Sequence, residues 1–171
     1  MANAKVTKPL RQFEIHERHL PHWEEPGATY FVTWVLRRPP PVDITEPRLG
    51  ALVIQALRFW DRRRYLLFDY TVMPDHVYAI LKPLVRDEQS ARLSAIHHSL
   101  KSWLANRINR AVGRRGPLWQ DESHDHILRN LQDYEEKAAY IFDNPRAKGL
   151  IADPTLWPWW GQGSGWRGDL T

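Results

Sequence analysis

The residues whose types and spacing could do chemistry are His76-Val77-Tyr78 and, far downstream, Tyr140 and Asn144. Pro74-Asp75 reads as a tight turn after a strand-like run from Tyr65 to Met73, and His76 to Leu81 reads as the return strand. Residues two apart on a strand share a face, so His76 and Tyr78 stand side by side, roughly 7 Å apart at ~3.3 Å per residue. Two histidines at that spacing would grip a metal ion. Here the second position is a phenol, with an ordinary pKa of about 10, and a protonated phenol is a poor ligand. Hard divalent ions prefer oxygen donors, so His76, Asn144 and waters would make only a weak site. A histidine beside a turn is also commonly a boundary residue, and that reading stays open on spacing alone.

Tyr140 falls in a helical stretch. At about 100° per residue, Leu131, Tyr134, Ala138, Ile141 and Phe142 gather on one face, and Tyr140 points about 120° away from Tyr134. Asn144 follows one turn later on the same side as Tyr140. Most lone helix tyrosines are structural, and a place off the apolar stripe with a polar neighbour one turn away weakens that reading without overturning it. The pairs His97-His98 and His124-x-His126 are further imidazole groupings without an evident third ligand. Gly113-Arg114-Arg115-Gly116 lacks the lysine-serine ending and preceding strand of a phosphate-cradling loop. It reads equally as a solvated basic loop or as a loop touching a nucleic-acid backbone.

Positioning these residues requires a sheet and helices. Tyr30 to Leu36 is a β-branched and aromatic strand, stopped by Pro39-Pro40-Pro41. A helix follows with Thr45 as the expected N-cap and Pro47 in its first turn, its apolar stripe running Leu49, Leu52, Val53, Ala56, Leu57, Trp60. A second helix is expected from Ser90 to Val112, burying Leu93, Ile96, Leu100, Leu104 and Ile108. Residues 123–128 alternate weakly as a fourth strand. A third helix is expected to be capped by Asp133 and ended by Asn144-Pro145. The order β-α-β-β-α-β plus a helix predicts an α+β fold of the ferredoxin-like, split βαβ kind with an antiparallel sheet.

Composition narrows the classes. The 171 residues suit one domain, and the absence of cysteine excludes disulfides and thiolate zinc sites. No apolar run is long enough to span a bilayer, and the N-terminus has no signal-peptide core, so a cytoplasmic protein is expected. The formal charge of +4 permits a polyanionic partner. Lys101, Arg107, Arg114, Arg115 and Arg129 are the candidate DNA-binding cations. Nine tryptophans offer surfaces for packing or for base stacking. Trp60 and Trp103, on or beside apolar helix stripes, are expected to pack. Trp157, Trp159, Trp160 and Trp166 in the Gly-rich tail leave stacking open.

Several short motifs occur in a fixed order. They are Leu20-Pro21-His22-Trp23-Glu24, residues 27–33, Val72-Met73-Pro74-Asp75-His76-Val77, residues 98–102 and residues 116–123. Asp125-His126-Ile127 with Arg129, Tyr140-Ile141 with Asn144-Pro145, and Lys148-Gly149-Leu150 complete the series. Together they resemble the REP-associated tyrosine transposases, relatives of the HUH single-strand transposases, over about residues 20–160. The resemblance implies strand transfer on single-stranded or hairpin DNA by a helix tyrosine that becomes linked to a 5′-phosphate. Tyr140 matches that nucleophile, His76 the first HUH histidine and Asn144 the polar ligand one turn later. His126 is expected as an active-site neighbour. The implied cofactor is a divalent metal, Mg²⁺ or Mn²⁺, and the protein would be a monomer or a homodimer.

Tyr78 departs from the pattern, standing where the family usually has its second histidine. The expectation is weakened metal binding, with cleavage reduced or lost and hairpin binding kept. The alternatives are a non-catalytic DNA-binding protein derived from a transposase and a ferredoxin-like RNA-binding module. The expected layout is an arm over residues 1–27, the transposase-like domain over 28–150 and a Trp/Gly-rich tail over 151–171, packing on the domain or extending from it.

Overall fold

The computed structural model describes residues 25–86, 89–90 and 92–170. The Leu20-to-Glu24 motif and most of the expected arm lie outside these residues. The fold is α+β, as expected. Strands β1 (Thr29–Val35), β2 (Tyr65–Val72), β3 (His76–Pro83), β6 (His124–Leu128) and β7 (Trp160–Gln162) form an antiparallel sheet in the order β6-β1-β3-β2-β7. Strand β3 lies between β1 and β2, with the helix α1 (Pro47–Trp60) connecting the outer two, which is how a split βαβ unit is built. Two short strands, β4 (Val85–Arg86) and β5 (Gln89–Ser90), make a separate hairpin ahead of the helix α2 (Leu93–Ala111). Helix α3 (Leu131–Ala147) follows β6.

Alternation along β1 divides the molecule into two apolar layers. Tyr30, Val32 and Trp34 are buried with Leu49, Val53 and Leu57 of α1 and with Ile96, Leu100 and Leu104 of α2. Phe31 points the other way, towards a smaller cluster made by Phe68, Ile80 and Leu128 with Tyr134 and Ile141 of α3. Helices α1 and α2 therefore cover one face of the sheet, and α3 covers the other. A one-residue register slip would exchange the two faces, so the apolar pattern fixes which strand residues look at α3. The expected buried stripe of α2 is the observed one.

Helix boundaries differ from expectation for local reasons. The N-cap of α1 is Glu46, without a side-chain cap bond, because the Thr45 hydroxyl and amide are both engaged by Asp43 Oδ1. Helix α2 starts at Leu93 rather than Ser90. Helix α3 is capped by Asn130, whose side chain accepts from the Asp133 amide, so Asp133 sits inside the first turn. Pro145 does not end α3. Its missing N–H removes a single bond near the C-terminus, and the helix ends at Ala147 with Lys148 as its C-cap; beyond it Gly149, with a φ of 70°, lets the Leu150 amide donate back to the Pro145 carbonyl at 2.9 Å.

The tail adds the fifth strand. Strand β7 pairs with β2, and the backbone of Gly50 lets Trp159 pack so closely on α1 that an added Cβ would lie 2.7 Å from the indole. Trp157 donates from Nε1 to the Val72 carbonyl, and Trp160 packs edge-on against Phe142. Trp166 is exposed. Trp60 packs against the core, whereas Trp103 is exposed beneath the Arg107 guanidinium, contrary to its expected packing role. Among the described residues no helix is long and apolar enough to cross a membrane.

Candidate active site

The turn Pro74-Asp75 delivers His76 to the first position of β3, and the β1–β3 register sets Val35 opposite His76 and Thr33 opposite Tyr78. His76 and Tyr78 both face α3. Their rings meet edge to face with centroids 4.6 Å apart, closer than the backbone spacing alone would give. From the opposite side, α3 brings Tyr140 over Tyr78, and the two hydroxyls are hydrogen-bonded at 3.0 Å. Phe31 completes an aromatic floor. It stacks on Tyr78 at 5.5 Å and meets Tyr140 edge-on at 6.1 Å. Tyr140 remains 46% exposed, so its oxygen is reachable by a large substrate.

His76 is held as a directed imidazole. Its Nδ1 lies 2.6 Å from Asp75 Oδ1, and the other Asp75 oxygen pairs with Arg38 at 3.0 Å. Burial raises the Asp75 pKa, but the His76 hydrogen bond, followed by the His76 and Arg38 charges, outweighs it and holds the carboxyl below its ordinary range. An ionised Asp75 accepts, so Nδ1 carries the hydrogen and Nε2 keeps its lone pair. Among the described residues that buried Nε2 has no hydrogen-bond partner, and neither has Asn144 Oδ1. Two orphaned buried acceptors are costly unless something electropositive satisfies them. Between the strands and the end of α3 lies a cleft of roughly 400 Å³, lined by Thr33, His76, Tyr78 and Lys148 among others.

The donor set suits a cation in part. Imidazole and amide oxygen are available, while the third position is a phenol whose pKa is pushed up by burial first and then by its hydrogen bond to Tyr140. It stays protonated at neutral pH. Among the described residues no cluster of three His, Asp or Glu side chains forms a metal centre.

Burial is also the main force on His76, depressing its pKa. The Lys148 and Arg38 charges add to this, and Asp75 only partly opposes it. A depressed histidine contributes stability above its unfolded pKa of about 6.5, and that stability is lost as pH falls below it. Thermal melts should therefore show Tm dropping between pH 7 and 5.5 in the native chain, with a shallower drop in His76→Gln.

The other expected site residues disperse. His126 pairs with Phe31 across β1–β6, so it lies exposed on the α3 face, two strands and two residues of register from Tyr78, roughly 12 Å at ~4.8 Å per strand and ~3.3 Å per residue. The five cations do not gather on one face. The Lys101 ammonium is committed to the Gln120 carbonyl at 2.7 Å, and burial lowers its pKa against the charge of Asp121. Arg114 bonds Asn109 Oδ1 at 2.8 Å. Arg107 lies with Trp103 on the helix layer opposite Tyr140. Arg115 and Arg129 are exposed, Arg129 just before α3. Sequence reasoning missed Asp75 as the partner of His76, although its adjacency in the turn was a usable signal. It also missed Phe31 and Lys148, which only the sheet register and the end of α3 bring in.

No family model matches the chain. Over 135 residues it is 27% identical to a REP-associated tyrosine transposase of Escherichia coli (strain K12), covering 77% of this chain and 74% of that protein. Its fold matches a solved REP-associated tyrosine transposase bound to a REP hairpin, with a TM-score of 0.68. That match has 23% identity and covers 84% of this chain and 82% of the other.

Proposed function

We propose, starting from its kinship in sequence and fold with the REP-associated tyrosine transposases, that this chain binds single-stranded or hairpin DNA and processes it through Tyr140. The observation that supports the reading is the half-exposed Tyr140, hydrogen-bonded to Tyr78 beside the His76 ring, together with two buried acceptors, His76 Nε2 and Asn144 Oδ1, that find no hydrogen-bond partner among the described residues. In the reaction the Tyr140 oxygen forms a bond to phosphorus and the P–O3′ bond breaks. The protein is left with a 5′-phosphotyrosine, and the tyrosine proton ends on the departing 3′-oxygen. His76 and Asn144 are the residues that would hold a divalent cation, Mg²⁺ or Mn²⁺, which when bound would polarise the phosphate. Asp75 fixes the imidazole tautomer and keeps the Nε2 lone pair turned away from it.

Tyr78 tempers this chemistry. It supplies a protonated phenol where a ligand would serve, and it engages the nucleophile's oxygen at 3.0 Å. That contact favours the second reading, a DNA-binding protein with reduced or absent cleavage. A nicking assay with Mn²⁺ on a hairpin oligonucleotide bearing a single-stranded flank separates the two. Tyr78→His should raise nicking on the order of tenfold or more, the scale of a restored metal-site partner. Equal, rapid nicking by both proteins would remove the impairment. Hairpin binding with no nicking by either would leave the binding reading alone.

A further inference from the structure

One lysine within helix α3 and one at its C-terminal cap have been given no role in binding DNA so far. Lys137 lies one turn before Tyr140, with its ammonium 5.1 Å from the centroid of Phe31, the ring that touches both Tyr78 and Tyr140. Lys148 follows the last turn of α3 and lines the cleft beside His76 and Tyr78. Lys148 lies eleven positions after Lys137, roughly 16 Å along the axis at ~1.5 Å per residue, and Tyr140 lies between. Neither lysine is paired with a carboxylate among the described residues. The acids of the same helix are occupied elsewhere. Asp143 pairs with Arg146, Glu135 with Arg167, Asp133 accepts from the Arg129 amide, and Glu136 accepts from Gln132 Nε2 at 3.0 Å.

We infer that Lys137 and Lys148 mark a track along α3 for the phosphates of a single DNA strand, one on each side of the phosphodiester presented to Tyr140. The inference rests on the reading of Tyr140 as the attacking residue and adds the path of its substrate. Two unneutralised cations flanking an exposed hydroxyl complement a backbone with one negative charge per nucleotide. The Phe31 ring holds the Lys137 ammonium by a cation–π contact without consuming its charge, which leaves it available to a phosphate oxygen. The track also bridges the position where Tyr78 replaces a metal ligand, so fixed side-chain charge would supply part of the electrostatic positioning there.

The test is equilibrium binding of a fluorescein-labelled single-stranded oligonucleotide, followed by anisotropy over a range of salt, in a Tyr140→Phe background. Lys137→Gln and Lys148→Gln should each lower the slope of log affinity against log salt by about 0.7, and the double variant by about 1.4. Lys137→Arg should keep the native slope. Arg63→Gln is the control, since Arg63 lies over Phe59 just after α1, and it should change nothing. Unchanged slopes in the lysine variants, or equal changes in Arg63→Gln, would overturn the track. So would a slope that responds only to Arg48, Arg107 and Arg110, which line a groove between α1 and α2. Failure of Tyr140 as nucleophile would appear in the nicking assay and leave these slopes intact, so the two failures are distinguishable.

Discussion

Tyr140→Phe is expected to lower nicking of a hairpin oligonucleotide on the order of a thousandfold or more and to leave hairpin binding unchanged. The substitution removes one oxygen and nothing else that the fold uses. The Tyr140 ring contacts Tyr78 and Phe31 at 5.3 and 6.1 Å, and phenylalanine keeps both contacts. Among the described residues its hydroxyl bonds only the Tyr78 hydroxyl, at a half-exposed position where losing one hydrogen bond costs about 1 kcal/mol or less. The loss of a covalent nucleophile, by contrast, removes the step itself, and single knockouts of such groups cost several orders of magnitude. The comparison is made by gel under single-turnover conditions with Mn²⁺, alongside a binding titration. Nicking that survives in Tyr140→Phe would transfer the chemistry to another residue.

The second large effect concerns how α3 is held over the sheet. Tyr134 packs edge-on against Phe68 at 5.7 Å and donates its hydroxyl to the buried Asp69 at 2.6 Å. The other Asp69 oxygen accepts from Gln162 of β7 at 2.9 Å, so one carboxylate joins β2, α3 and the tail. Burial first, then the bond to Asp69, pushes the Tyr134 pKa up, and the phenol therefore remains a donor across the working pH range. Tyr134→Ala should cost about 3–5 kcal/mol, the range for deleting a buried aromatic ring. Tyr134→Phe isolates the polar part and should cost about 1.5–3 kcal/mol, because a buried acceptor loses its partner. At about 2–4 °C per kcal/mol for a chain of this size, the two variants should be well separated in thermal melts. Equal melting temperatures for Tyr134→Phe and the native chain would contradict the Asp69 anchor.

The parts of the site that local rules govern were readable from the sequence. Turn chemistry at Pro74-Asp75 and the two-residue period of a strand bring His76 and Tyr78 to one face, and helical spacing brings Tyr140 and Asn144 to one side of α3. In the structure the His76 and Tyr78 rings meet side by side, and residues 140 and 144 lie four apart within α3. The apolar stripes of α1 and α2 follow from the same periodicities. What stayed out of reach depends on distant pairing. Asp69 meets Tyr134 across 65 residues and Gln162 across 93, and neither partner is marked by composition or period. Strand β7 is only three residues long and becomes a strand by pairing with β2. The caps at Thr45 and Asp133 were assigned by residue type; Asn130, an equally good cap, took the second position, while the first went to Glu46 with no side-chain cap bond because Asp43 holds Thr45. The basic residues look like one cluster in sequence, yet helix α2 and the loop after it distribute them between internal carbonyls and the opposite face.

The most direct measurement is mass spectrometry of the protein after incubation with Mn²⁺ and a hairpin oligonucleotide that carries a single-stranded flank. Proteolysis should yield the Tyr140-containing peptide with the cleaved strand attached through its 5′-phosphate, and the adduct should increase in Tyr78→His. Cleaved DNA with no protein adduct, or an adduct on a residue other than Tyr140, would contradict the assignment of this site.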